Sequence, residues 1–118
     1  AVAIPPHHGL GSDQRVDDGL FRGFDGGVWN RGLTIGLKND SDQVADLLSH
    51  FDWALTEGCF DEGWCNQSQP FIAAGKPVFA TEYTDTGITL DRFCSEANAM
   101  GINAILKHRD LGVYREAC

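Results

Sequence analysis

Two carboxylates (Glu57 and Glu82), two amines (Lys38 and Lys107), an amide (Asn39) and a phenol (Tyr83) each fall at or just past the end of a short apolar run in this sequence. Strand ends of that kind are where parallel α/β sheets place their chemistry. The mixture of donors and acceptors suits a polyol or a sugar. No glycine-rich loop is present to cradle a dinucleotide or a phosphate, so no cofactor is expected. Lys38 and Asn39 can donate hydrogen bonds to hydroxyls, or serve as scaffold. Glu82 can bind sugar hydroxyls or an amine, or pair with Lys38 across the rim. Trp64 offers a face on which a sugar ring could stack, or packs against the cysteines on either side of it. As a lone residue, Glu57 is equally an ordinary solvated glutamate after a strand. The four histidines, His7, His8, His50 and His108, are too scattered to suggest a metal site.

The elements that must position these groups follow from the hydrophobic pattern. LTIGL (33–37) predicts a strand buried on both faces. Asp40 and Gln43 have capping-box spacing, and Val44, Leu47, Leu48 and Phe51 recur at helical spacing, which predicts a helix over 41–50. WALT (53–56) predicts the next strand, Pro70 and Gly75 bracket a short helix, and VFAT (78–81) predicts a third strand. Thr89 is the expected N-cap of a helix that buries Leu90, Phe93, Cys94 and Ala97 and stops at Gly101. NAILK (103–107) predicts a fourth strand, and Asp110 is expected to cap a last helix through about Glu116. Strand and helix alternate four times, which argues for β-α-β units around a parallel sheet. Residues 1–27, with six glycines and two prolines, are expected to be irregular or disordered up to about Asp18.

At 118 residues, 42% of them hydrophobic, the chain has the size of one small domain; a full eight-unit β/α barrel needs roughly 250. No stretch approaches the roughly 18 apolar residues of a membrane helix, and AVAIPPHHGLGSDQR has neither the basic nor the apolar region of a secretory leader. No membrane partner is expected. Seventeen Asp and Glu against nine Lys and Arg, a net charge of −8, argue against nucleic acid and favour a neutral or cationic partner. The cysteines are Cys59, Cys65, Cys94 and Cys118. Disulfides from Cys59 to Cys65 and from Cys94 to Cys118 are the preferred reading, although four cysteines allow three pairings and sequence alone does not choose among them. Four reduced thiols in a cytosolic protein are the alternative.

Taken in order, GLTIGLKNDSDQVADLLSHFDWALTEGCF, PFIAAGKPVFATEY and FCSEANAMGINAILKHRDL with a final Cys118 resemble the C-terminal half of the endo-alpha-1,4-polygalactosaminidase family, glycoside hydrolase family 114, an alpha-galactosidase-like group. The resemblance covers about residues 31–118. It implies an α/β fold, a partial (β/α)8 TIM barrel of about four βα units over 28–118, equivalent to strands five to eight. It also implies a secreted glycosidase that cuts alpha-linked, galactosamine-containing polysaccharide with an aspartate after strand four and a glutamate after strand six. Glu57 falls on that glutamate and is the expected general acid/base. LTEGCF stands here where the family shows NEQCF, with threonine for asparagine and glycine for glutamine. Lys38, Asn39, Glu82, Tyr83 and Trp64 are then expected to bind substrate. Upstream, SDQRVDDGL (12–20) is all that stands for the family's PDN-VDGY-like segment, and Asp13 is its candidate remnant of the aspartate. The expectation is therefore a truncated member whose activity is open. The alternatives are a non-catalytic carbohydrate-binding remnant or a half-barrel that dimerises, since an open barrel edge invites self-association.

Overall fold

Alternation of side chains along four short strands divides the molecule into a packed face and an open one. In the computed structural model, which describes residues 2–4 and 32–118, strands β2 (Thr34–Lys38), β3 (Trp53–Glu57), β4 (Val78–Tyr83) and β5 (Asn103–Lys107) lie side by side in parallel and in chain order. Helical segments connect them. The first is α1 (Val44–Leu47), extended at both ends by 3-10 turns; α2 (Cys59–Glu62) and α3 (Gln69–Ala73) follow β3, and α4 (Leu90–Met100) follows β4. Three-residue antiparallel strands cover the two edges, β1 (Val2–Ile4) beside β2 and β6 (Arg115–Ala117) beside β5. Among the described residues no helix is long and apolar enough to cross a membrane.

Register aligns Leu37, Ala54 and Val78 in one row and Thr56, Ala80 and Ala104 in the next, all of them buried. Small sheet residues there leave room for the large side chains that the connecting segments bring, among them Val44, Leu47, Phe51, Phe71 and Phe93. Phe60 stacks on Phe93 with ring centroids 5.6 Å apart. The alternate residues, Gly36, Lys38, Trp53, Leu55, Glu57, Phe79, Thr81, Tyr83, Ile105 and Lys107, project to the opposite face. Phe79, 39% exposed, shows that no second layer covers that face among the described residues.

The strand expected to be buried on both faces is buried from Ile35 to Leu37, with Gly36 on the open side covered by the Trp53 indole, and it emerges at Lys38. The helix expected over 41–50 is a 3-10, α, 3-10 succession. Asp40 takes a left-handed conformation (φ 51°), so its side chain makes no cap and the Gln43 amide donates to the Asp40 backbone carbonyl at 3.2 Å. Thr89 holds the N-cap position of α4 without a side-chain cap, its carbonyl accepting from the Arg92 amide at 3.0 Å. Gly101 ends that helix as expected. The helix expected after Asp110 is replaced by β6. Asp110 Oδ1 accepts from the Gly112 amide at 2.9 Å in a tight turn, and Leu111 is left-handed (φ 58°), a geometry that a helix excludes. Val2–Ile4, within the segment expected to be irregular, pairs with β2. The rest of 1–27, Asp13 included, lies outside the described residues.

Both preferred disulfides are formed, Cys59–Cys65 and Cys94–Cys118. The second ties α4 to the residue after β6 across 24 positions, a closure worth roughly 3 kcal/mol in the chain-entropy account.

Among the described glycines, Gly36 is the one at which an added Cβ would clash. A Cβ there would sit 2.5 Å from the Trp53 indole, which lies over β2 and meets the edge of Phe79 with centroids 6.0 Å apart. Gly36→Ala is expected to lower stability by roughly 1 to 3 kcal/mol through overpacking, read as a shift of the urea midpoint. Adding Trp53→Leu should restore part of the loss, and an unchanged midpoint in the single variant would contradict this account of the face.

Candidate active site at the strand ends

Because β2, β3 and β4 are staggered in register, their last open-face residues climb in steps. Lys38 stands level with Leu55, Glu57 with Thr81, and Tyr83 with Lys107. The stagger gathers Lys38, Glu57 and Tyr83 at one corner of the sheet. Lys38 Nζ lies 2.9 Å from Glu57 Oε1, with the two side chains 45% and 29% exposed, so the pair is within reach of a ligand. The hydrogen bond to Glu57, and then its charge, hold the Lys38 ammonium above the ordinary lysine range. Tyr83 is 4% exposed. Its burial, followed by the neighbouring Glu57 carboxylate, pushes the phenol above its usual value against the opposing pull of Arg109 and Lys38.

The backbone that presents Glu57 is held from both sides. Asn39 is left-handed (φ 55°), which turns its side chain back so that Oδ1 accepts from the Glu57 amide at 2.9 Å, while its own amide donates to the Leu55 carbonyl at 2.7 Å. Asn39 is thus an anchor of the strand end. Beyond Glu57, Gly58 turns the chain with φ 71°, a region that glycine enters without a Cβ penalty, and its amide donates to the Thr81 carbonyl at 2.9 Å. Thr56 points into the core and donates to Cys59 Sγ at 3.2 Å.

Glu82 is placed differently from the expectation. One residue before Tyr83, it faces the core and is fully buried (0% exposed). Its carboxylate accepts from the amides of Phe60 at 2.8 Å and Asp61 at 3.2 Å, the first turn of α2. It neither reaches the open face nor pairs with Lys38, whose ion-pair partner is Glu57. Trp64 is half-buried against the core and its indole donates to Glu62 Oε2 at 2.9 Å. The other Glu62 oxygen lies 3.5 Å from the Cβ position of Gly58, so Trp64 borders the turn after Glu57. Lys107 donates to the Gly112 carbonyl, and His108 stacks on Tyr114 at 4.0 Å with planes 5° apart.

Arg109 is the member of this corner that inspection of the sequence missed. Its guanidinium carbon lies 3.9 Å from the centroid of the Tyr83 ring, and it donates two hydrogen bonds to Asp85, at 2.9 and 2.8 Å. The one sequence signal was its place two residues beyond the strand-end Lys107. One group of metal-ligand types occurs among the described residues, Cys59, Cys65 and Glu82. Both sulfurs are spent in the disulfide and both Glu82 oxygens accept amides, so the trio offers no ligand set.

The burial of Glu82 outweighs its two amide bonds and raises its carboxyl above the ordinary glutamate value. The folded chain therefore keeps this proton to higher pH than the unfolded chain does. The stability linked to it is fully present below the unfolded value and is lost as pH rises through the folded one. Urea melts from about pH 4 to 8 should show the advantage of the wild type over Glu82→Gln shrinking as pH rises, and a constant difference would refute the assignment. Glu82→Ala, which orphans two amides, should cost roughly 2 to 4 kcal/mol.

No curated protein matches the chain. Among solved structures, the crystal structure of Aspergillus fumigatus Ega3 in complex with galactosamine shares the fold with a TM-score of 0.69 at 24% identity, over 83% of this chain and 42% of that one. This chain thus spans less than half the length of that structure. The α/β sheet described above has the architecture of part of it. The sequence profile of glycoside-hydrolase family GH114 covers residues 22–118. On that coverage, the chain belongs to glycoside-hydrolase family GH114.

Proposed function

We propose that this chain forms one wall of a glycosidase site that hydrolyses alpha-linked, galactosamine-containing polysaccharide, with Glu57 as general acid/base and Lys38 as its partner. The observation that carries the reading is the accessible Lys38–Glu57 pair on the open face, at the C-terminal strand ends of a GH114 chain. Glycoside hydrolysis uses two carboxyl groups flanking the scissile bond, one of them exchanging a proton with the leaving oxygen. Glu57 is the carboxylate assigned to that proton exchange. Lys38 binds its Oε1 and fixes the plane of the group, and the Asn39 bond to the Glu57 amide keeps the strand end from drifting. A net charge of −8 suits a cationic amino-sugar polymer, and the relative of like fold was crystallised with galactosamine. In this reading β2 to β5 are strands five to eight of a TIM barrel. Two disulfides support an oxidising, extracellular setting.

Sugar binding without turnover is the second reading, favoured by the turn of Glu82 into the core, which leaves Glu57 as the strand-end carboxylate on the open face among the described residues. Glu57→Gln separates the two. Under the first reading it lowers turnover of a galactosamine polymer by roughly a hundredfold to ten-thousandfold and leaves affinity within a few-fold. Absence of turnover in the parent chain, with polymer still bound, would overturn the hydrolase reading in favour of the second.

A further inference from the structure

The loops after β4 and β5 are joined above the site by one ion pair. Asp85, in the 3-10 turn Thr84–Thr86, accepts both hydrogen bonds from Arg109 in a fork-to-fork arrangement. Both side chains are more than half exposed, 52% and 56%, and a pair so solvated adds little to stability. Its effect is on geometry. The clamp holds the guanidinium over the face of Tyr83, its carbon 3.9 Å from the ring centroid, covering a side of the ring that would otherwise meet water. Tyr83 is nearly buried beneath it and is the same-face diagonal neighbour of Glu57, whose register partner is Thr81, while Thr86 Oγ1 donates to the Tyr83 carbonyl at 2.9 Å and fixes the same residue from its backbone. Packed against one face of the ring, the guanidinium limits the swing of the Tyr83 side chain about its Cα–Cβ bond, and with it the place of the hydroxyl.

We propose that Asp85 and Arg109 are positioning residues that act through Tyr83: the clamped guanidinium roofs the phenol and holds its hydroxyl against Glu57, which fixes the carboxylate opposite Lys38. This deepens the reading of Glu57 as the acid/base and rests on it. Asp85, Arg109 and Tyr83 are in contact in that order, and Tyr83 is the diagonal neighbour of Glu57 on the adjacent strand, two residues beyond its register partner Thr81. Charges that face the phenol come from three elements, Glu57 on β3, Lys38 on β2 and Arg109 after β5.

The chain has two tyrosines, Tyr83 and Tyr114. In a Tyr114→Phe background the ultraviolet absorbance of phenolate therefore reports Tyr83 alone. Arg109→Gln should move the Tyr83 midpoint upward, because the cation that opposes burial and Glu57 is gone; Glu57→Gln should move it downward. Arg109→Lys, which keeps the charge but not the fork, should restore part of the shift, and Asp85→Asn should shift the midpoint in the direction of Arg109→Gln by a smaller amount. Galactosamine affinity, measured by calorimetry, should weaken about two- to fivefold in Arg109→Gln. Circular dichroism at each pH confirms that the exposed substitutions leave the fold intact. A Tyr83 midpoint that does not move in Arg109→Gln overturns the proposal. Failure of the parent chain to bind galactosamine overturns the functional reading instead, and leaves the titration result standing.

Discussion

The buried carboxylate of Glu82 can remain on the core face of the sheet because two amides, those of Phe60 and Asp61, are turned toward it. An unpaired carboxylate in that position would cost several kcal/mol, so wherever Glu82 lies the first turn of α2 must lie as well. That turn begins two residues after Glu57. Asn39 acts from the other side, with a backbone bent into the left-handed region so that its amide oxygen can take the Glu57 N–H. The candidate acid/base is thus set by two neighbours on adjacent strands. The Cys59–Cys65 bridge closes the same turn and carries Trp64 beside it.

Those constraints work because the sheet is unequal on its two sides. On the packed side, small residues such as Ala54, Ala80 and Ala104 admit aromatic side chains from the connections. On the other side the same strands present Trp53, Leu55, Phe79 and Ile105, with Phe79 well exposed, and end in Lys38, Glu57 and Tyr83. A barrel interior has this composition, apolar along its length and polar at the C-terminal rim. The short antiparallel strands at the two edges leave neither β2 nor β5 with an unpaired side over the length they cover.

The positions of the four parallel strands were legible because each is a short apolar run punctuated by glycine, proline or charge, and the stop at Gly101 because only glycine settles easily at φ 79°. The cysteine pairs were preferred from their spacing but chosen only by the fold. Capping by Asp40 and Thr89 was overread: spacing identifies a capping box, but the Asp40 backbone is committed to the Asn39 turn that serves Glu57. The final helix was overread for a similar reason. Asp110 has the right type for an N-cap, yet the turn that it closes on Gly112 leads into a strand tied to β5 and, through Cys118, to α4.

For the site, the residue types at the strand ends and the order of the motifs were present in the sequence by itself, and they carried the family and the place of Glu57. Which of the adjacent pair Glu82 and Tyr83 lies on the open face of the sheet was decided only in three dimensions. Alternation says that they point to opposite sides, but not which side the helices cover, and that depends on register with β3 and β5. The partner of Lys38 was undecided for the same reason, because the stagger between strands brings Glu57 and not Glu82 to it. Arg109 is 26 positions from Tyr83 along the chain, and its place over that ring comes from the length of a loop and the grip of Asp85. Local composition determines which groups are available; the register of the sheet and the closure of its loops determine which of them meet.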